Sequence, residues 1–76
     1  MMIPLDQLAL GETAEIEMIR TDKLPLKLIE MGCLPGNPVS LIQKALYSDP
    51  LYIKIDESYL VIGKETAKNI FVRLIK

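Results

Sequence analysis

Apolar and polar residues alternate along several short stretches of this chain. The clearest stretch is the segment 14–20, in which apolar and charged side chains follow one another in turn. A period of two residues is typical of a β-strand with one face buried. The same pattern, or a short apolar run between turn residues, recurs four more times. The sequence therefore predicts five strands, at residues 14–20, 39–45, 51–55, 59–62 and 70–75.

A short helix is predicted between the first two of these strands. Pro25 suits the first turn of a helix, because no hydrogen bond from a backbone N–H is needed there. Leu24, Leu28 and Met31 then fall on one helical face. Gly32 can end the helix, because a residue without a Cβ atom adopts the left-handed conformation at little cost.

Two turns are predicted from proline and its neighbours. Pro35 followed by Gly36 predicts a type II turn, in which proline fixes φ and glycine supplies the positive φ that must come next. Asp49 and Pro50 predict a second turn, between the second and third strands. We expect these residues, with Gly32, to have structural roles and no chemical ones.

The ends of the sheet carry two smaller predicted elements. Residues 1–11 predict an arm that packs apolar side chains on the core, with a helical turn after Pro4. Residues 63–69 predict another helical turn, which Asn69 can close. In a chain of 76 residues that is half hydrophobic, five strands and these inserts predict one domain over residues 1–76. We expect a small, mostly β, closed barrel rather than an open sheet.

Charge and composition exclude several classes of protein. The formal net charge is −1, with basic and acidic residues interleaved, so the concentrated positive face of a nucleic-acid-binding protein is not expected. The N-terminal residues lack the pattern of a signal peptide, and no apolar run reaches the ~18 residues that cross a bilayer. Cys33 is the only cysteine, which precludes an intrachain disulfide. We expect a cytoplasmic protein that does not insert into a membrane.

The reactive side chains needed for catalysis are scarce. Histidine is absent, so a Ser/His or Cys/His relay cannot be formed within the chain. No glycine-rich phosphate loop is present either, and we expect neither an enzyme nor a cofactor. A dedicated metal site is not expected, since its preferred ligands are missing. Cys33 and Glu30 are candidates for a site shared between chains, and a buried apolar role for Cys33 is the alternative.

Several apolar residues fall on faces that the alternation directs outward. They include Ile19, Tyr52 and Phe71, and Leu34 lies on a predicted turn. Such residues can be covered by helices that wrap a barrel. The alternative is a protein-binding surface formed by the helix, the turn at Leu34 and the hairpin at Tyr47.

Three segments together resemble the FeoA family of bacterial ferrous iron transport. Leu-Ile-Glu-Met-Gly at 28–32, followed by Leu34-Pro35-Gly36 and Val39, is similar to the family's helix-to-strand signature. Ser-Asp-Pro at 48–50 is similar to its hairpin, and Ala67 with Ile70 and Val72 to its closing helical turn and strand. Their order and spacing give the resemblance its specificity, and they span nearly the whole chain.

The resemblance implies an SH3-like β-barrel and an accessory role in ferrous iron uptake. The implied partner is the membrane ferrous iron permease FeoB, contacted through its cytosolic regions. The candidate partner-binding residues are Lys27, Glu30, Leu34 and Tyr47. Lys27 stands where the family usually has arginine, whose planar group binds carboxylates differently.

Two alternatives remain open on the sequence. The same fold resembles the C-terminal domain of iron-dependent repressors, so the chain could be a regulatory module of that kind. It could also be an interaction module that associates with itself, as a homo-oligomer.

Overall fold

The computed structural model describes residues 1–75. It contains six strands, two short α-helices and three 3-10 turns. The strands are β1 (Met2–Pro4), β2 (Thr13–Ile19), β3 (Pro38–Lys44), β4 (Leu51–Ile55), β5 (Ser58–Ile62) and β6 (Ile70–Leu74). The helices are α1 (Leu26–Glu30) and α2 (Lys64–Ala67), and the 3-10 turns are Leu5–Gln7, Thr21–Lys23 and Leu46–Ser48.

All five predicted strands are present, within one residue at their ends. The sixth strand, β1, lies in the predicted N-terminal arm and pairs with β6. It was missed because its three residues end in Pro4, which argues against a strand by sequence. Proline is tolerated here because β1 is an edge strand, bonded to β6 alone.

The strands form one antiparallel sheet in the order β1-β6-β2-β3-β4-β5. Register shifts between Ile16 and Met18 and between Leu41 and Gln43 increase the local twist of the sheet. Within residues 1–75, β1 does not pair with β5, so hydrogen bonds do not close the sheet into a complete barrel. The expectation of a closed barrel is corrected in this respect, because two strand edges remain.

The core is built mainly from aliphatic side chains, on the inner face of the sheet and on the helices, turns and loops that cover it. The alternation predicts this face correctly for Val39, Leu41, Ile70 and Val72, which are buried. Leu74 follows Ile70 and Val72 in the same alternation, which places it on the inner face, but it is only half-buried. The remaining core residues are Leu5, Leu8, Ala14, Ile16, Leu24, Leu28, Cys33, Leu51, Ile53, Ile55, Ile62 and Ala67.

The end of α1 has the hydrogen bonds of a Schellman motif. The Cys33 N–H donates to the Leu28 carbonyl (3.0 Å), and the Gly32 N–H donates to the Ile29 carbonyl (3.1 Å). Gly32 has a φ of +107°, as the sequence predicted. The Asn37 side-chain amide also donates to the Gly32 carbonyl (2.8 Å). The chain is thereby fixed as it leaves the helix.

The turn after α1 is of the predicted type. The Asn37 N–H donates to the Leu34 carbonyl (3.2 Å), and Gly36 has a φ of +97°. The Gly36 N–H donates to the Ile16 carbonyl (2.7 Å), which ties the turn to β2. In the part of the chain that the structure describes, no helix is long and apolar enough to span a bilayer.

The predicted turn at Asp49 and Pro50 is present as well. Tyr47 adopts a left-handed φ of 64°, and the Ala45 N–H donates to the Pro50 carbonyl (2.9 Å). The Asp49 carboxylate accepts a hydrogen bond from the Lys64 backbone N–H (3.0 Å). This contact joins the turn to the start of α2.

Candidate functional site

A groove of about 430 Å³ lies between α1 and β5. We call it the α1–β5 groove. One wall comes from the helix, the other from successive residues of the strand. Its lining residues are Pro25, Lys27, Leu28, Met31, Tyr59, Leu60, Val61, Ile62, Gly63 and Thr66.

The groove exists because α1 is too short to cover the edge of the sheet. The helix has five residues and is stopped by the Gly32 cap. It buries Leu28 in the core, while Lys27 remains exposed and Met31 half-buried. β5 is the last strand of the sheet, so nothing pairs with its outer side in the described chain. The result is a groove with mainly apolar side chains, in which Lys27 is the single charged residue of the described lining.

A second, smaller hollow of about 250 Å³ adjoins the same strand. It is lined by Ile42, Gln43, Tyr52, Ile53, Tyr59, Leu60 and Val61. Tyr59 is 69% exposed and Val61 59% exposed. The Lys54 ammonium lies 5.5 Å from the centre of the Tyr59 ring, a distance that permits a cation–π interaction. β5 therefore presents apolar surface to solvent on more than one side.

The structure places only one of the four candidate partner-binding residues in this groove. Lys27 lines it. Glu30 is exposed on the same helix but outside the lining, and Leu34 is 42% exposed on the type II turn. Tyr47 is 87% exposed in the 3-10 turn after β3. These three side chains are accessible, but no described cavity brings them together.

Sequence reasoning predicted the strand at residues 59–62 but missed its role as the other wall of the groove. Residues 59–62 read Tyr-Leu-Val-Ile and do not alternate with polar residues. An apolar run of this kind indicates a strand that contacts something on both faces. β5 has a core on one face only, with Ile62 buried and Leu60 half-buried. The apolar run at residues 59–62 therefore indicates a binding surface and could have identified this wall from the sequence.

The outward apolar residues named from the alternation divide into two groups. Tyr52 is exposed and lines the smaller hollow. Ile19 packs against the edge of the core, and both it and Phe71 are half-buried. Part of the apolar surplus is thus covered by the fold, and part faces solvent around β5.

Cys33 lies in the core directly after the Gly32 cap. It has no exposed surface, and desolvation by burial raises the pKa of its thiol to about 11. A protonated, buried thiol is a poor metal ligand, because the thiolate is the form that binds. Glu30, the other candidate ligand, points to solvent. Residues 1–75 contain no group of three or more Cys, Asp or Glu side chains that could hold a metal ion.

The ion pairs of the described residues lie away from the groove. Arg73 on β6 contacts Glu15 (3.1 Å) and Glu17 (3.5 Å) on β2, and Lys68 contacts Glu65 on α2 (3.2 Å). Lys27 belongs to none of these pairs. Its ammonium is therefore available to an acidic group outside the chain.

Comparison with known proteins gives a family match over almost the full length. The family model of the FeoA domain matches residues 3–74. An iron uptake regulatory protein (FeoA) superposes with a TM-score of 0.83 at 25% identity, covering 99% of each chain. FeoA of Stenotrophomonas maltophilia, a procaryotic SH3 domain protein crystallised with zinc, superposes with a TM-score of 0.79 at 23% identity, covering 91% of this chain and 87% of that chain. The predicted SH3-like fold is confirmed.

The same fold occurs in a larger regulatory protein. A manganese-dependent transcriptional repressor superposes with a TM-score of 0.81 over 97% of this chain, which spans 42% of the repressor chain. At 15% identity this likeness shows a common fold only, because one fold can serve many functions. A search of curated proteins gave no match.

Proposed function

Because the chain belongs to the FeoA family, we propose that it is a non-enzymatic accessory protein of bacterial ferrous iron uptake. It binds the cytosolic regions of the membrane ferrous iron permease FeoB, on the cytoplasmic side of the membrane. The binding energy biases one conformational or assembly state of the permease, and the chain carries out no chemistry of its own.

The α1–β5 groove is the observation that carries this proposal. It joins apolar walls from Leu28, Met31 and Val61 to a single cation at Lys27. A concave apolar surface with few, well-placed polar groups is the usual form of a recognition site. Its occupant would be an apolar segment of the permease with an acidic residue positioned for Lys27.

A role in catalysis has little support from the side chains present. Histidine is absent from the sequence, and the only thiol is buried with a pKa raised to about 11. The charged lining of the groove is one lysine, without an acid or base beside it in the described lining. Binding is the activity that this groove can perform.

Charge reversal at Lys27 tests the proposal with a matched control. The variant Lys27→Glu places a carboxylate where the permease offers an acidic residue, so we expect affinity for the cytosolic part of FeoB to fall about tenfold. Lys23→Glu makes the same charge change at an exposed residue outside the groove lining. It should bind within about twofold of the original chain. Calorimetric titration of both variants measures the difference.

The other candidate residues are tested in the same assay. Leu34→Glu and Tyr47→Ser alter exposed side chains that lie outside the groove. If either one weakens binding as much as Lys27→Glu does, the permease contacts a wider surface than the groove. If all three bind like the original chain, the groove is not the site and the proposed location is wrong.

A further inference from the structure

β5 is an edge strand whose free side borders the α1–β5 groove and pairs with no other strand in the described chain. It hydrogen-bonds to β4 alone, with a regular register from Ser58 to Ile62. Natural proteins commonly block such edges with proline, charged side chains or bulges. The sequence Ser-Tyr-Leu-Val-Ile contains no proline and no charge, and its pairing shows no bulge. A further strand can therefore add to it.

Two residues of β5 direct their backbone groups to this free side. The two-residue turn at 56–57 makes Ser58 a hydrogen-bonded partner of β4. Hydrogen-bonded pairs alternate along an antiparallel ladder, so Leu60 also bonds to β4. The N–H and C=O groups of Tyr59 and Val61 consequently face outward. They are spaced symmetrically on either side of Leu60.

This spacing fits a second copy of the same strand. A two-fold axis at Leu60 places Tyr59 of one copy opposite Val61 of the other, and the reverse. Each of these pairs can exchange two hydrogen bonds, or about four in all. The Tyr59 and Val61 side chains are exposed and share one face of the strand. In the paired arrangement each would cover the other across the interface.

The charges at the two ends of β5 favour the same arrangement. Exposed Asp56 and Glu57 come directly before the strand, and Lys64 comes shortly after it. None of the three takes part in an ion pair in the described part of the chain. Antiparallel pairing sets the acidic turn of one copy beside Lys64 of the second copy, at both ends of the interface. Charge complementarity therefore points to another copy of this chain as the occupant.

We propose that two copies of this chain form a symmetric dimer through antiparallel pairing of their β5 strands. The two sheets become one continuous sheet across the two-fold axis. Pairing of two five-residue strands buries little surface, so the dimer is weak and transient. We expect it to form over protein concentrations of roughly 10 μM to 1 mM.

Sedimentation velocity over this concentration range tests the proposal on the chain alone. We expect the weight-average mass to rise toward twice that of the monomer. Val61→Pro removes one outward N–H while sparing the bonds to β4, and should weaken association at least tenfold. Val61→Thr keeps the N–H and the strand propensity and is its control. Amide spectra recorded at low concentration check that both variants are folded.

A charge swap gives a second test that does not depend on proline. Glu57→Lys and Lys64→Glu should each weaken association about three- to tenfold, because each acts twice in a symmetric dimer. The double variant should restore it. A chain that stays monomeric up to 1 mM, or a dimer that Val61→Pro leaves unchanged, would overturn the proposal. A double variant that associates no more tightly than either single variant would also overturn the proposal. The permease is absent from these experiments, so they test self-association alone, although the dimer and FeoB would share Tyr59 and Val61 of the groove.

Discussion

Gly32 is the residue at which a single Cβ atom should most clearly change the stability of this fold. Its φ of +107° lies in a region that other residues enter only with strain. A Cβ placed there would meet its nearest atoms in Ile55, Asn37 and Asp56 at 3.6–3.7 Å, which is ordinary contact. There is room for a methyl group, so the penalty for Gly32→Ala comes from the backbone alone.

That backbone penalty is about 1–2 kcal/mol for alanine. Valine at this position should cost more, because its branched Cβ restricts φ and ψ further. A domain of 76 residues has an unfolding free energy of roughly 4–11 kcal/mol. Gly32→Ala should therefore remove a substantial share of the stability and lower Tm by about 4–16 °C. Denaturant unfolding followed by circular dichroism measures the change.

Gly63→Ala is the matched control for this substitution. Gly63 has an ordinary φ of −72°, and a Cβ there would lie 3.9 Å from the Asp49 carboxylate. The loss of unfolded-state entropy favours alanine, whereas the helix N-cap position favours glycine, so the two effects nearly cancel. We expect a change within about 0.5 kcal/mol. If Gly32→Ala is as stable as Gly63→Ala, the left-handed cap is not what holds the end of α1.

Three further predictions concern other parts of the molecule. The Cys33 thiol should resist alkylation at pH 8 until the protein is denatured. Because burial raises the pKa of this thiol in the folded protein, the stability that it contributes should be complete below pH 9 and lost as the pH rises toward 11. Cys33→Ala should abolish that loss. Tyr47→Gly should be about 1 kcal/mol more stable than Tyr47→Ala in thermal melts, because Tyr47 is exposed and has a φ of 64°; equal melting would refute this. Arg73→Gln should lower the unfolding free energy by at most about 1 kcal/mol at low salt and by less at 1 M salt, because the ion pairs of Arg73 with Glu15 and Glu17 are half-exposed. A loss of stability that salt does not reduce would show that Arg73 has a packing role instead.

Local residue chemistry was sufficient to predict most of the fold. The period of two in residues 14–20 and 70–75 identified strands with one buried face, and Gly32 and Gly36 adopt the positive φ expected of them. These features depend on neighbouring residues along the chain, so a sequence can specify them. The closure of the barrel could not be predicted in this way. It depends on whether β1 meets β5, two strands far apart in sequence.

The groove itself was not predicted, for the same reason. Lys27 could be nominated from its position on a short helix, but its neighbours in the groove come from residues 59–63. Only the sheet order reveals that β5 is an edge strand facing α1. Leu34 and Tyr47 were nominated because they sit on turns, and the fold leaves both exposed but outside the groove. Sequence position predicts exposure better than it predicts which exposed residues meet.

Titration of the isotope-labelled chain with the cytosolic part of FeoB tests the central claim most directly. The labelled chain is kept at a concentration at which dilution leaves its amide spectrum unchanged, so that self-association does not contribute. We predict saturable shifts at Lys27, Leu28 and Met31 and at residues 59–63, with little change around Arg73. Parallel titrations with duplex DNA and with ferrous or zinc ions should give no saturable shifts. Absence of saturable shifts with the permease fragment, or a response to DNA alone, would contradict the account.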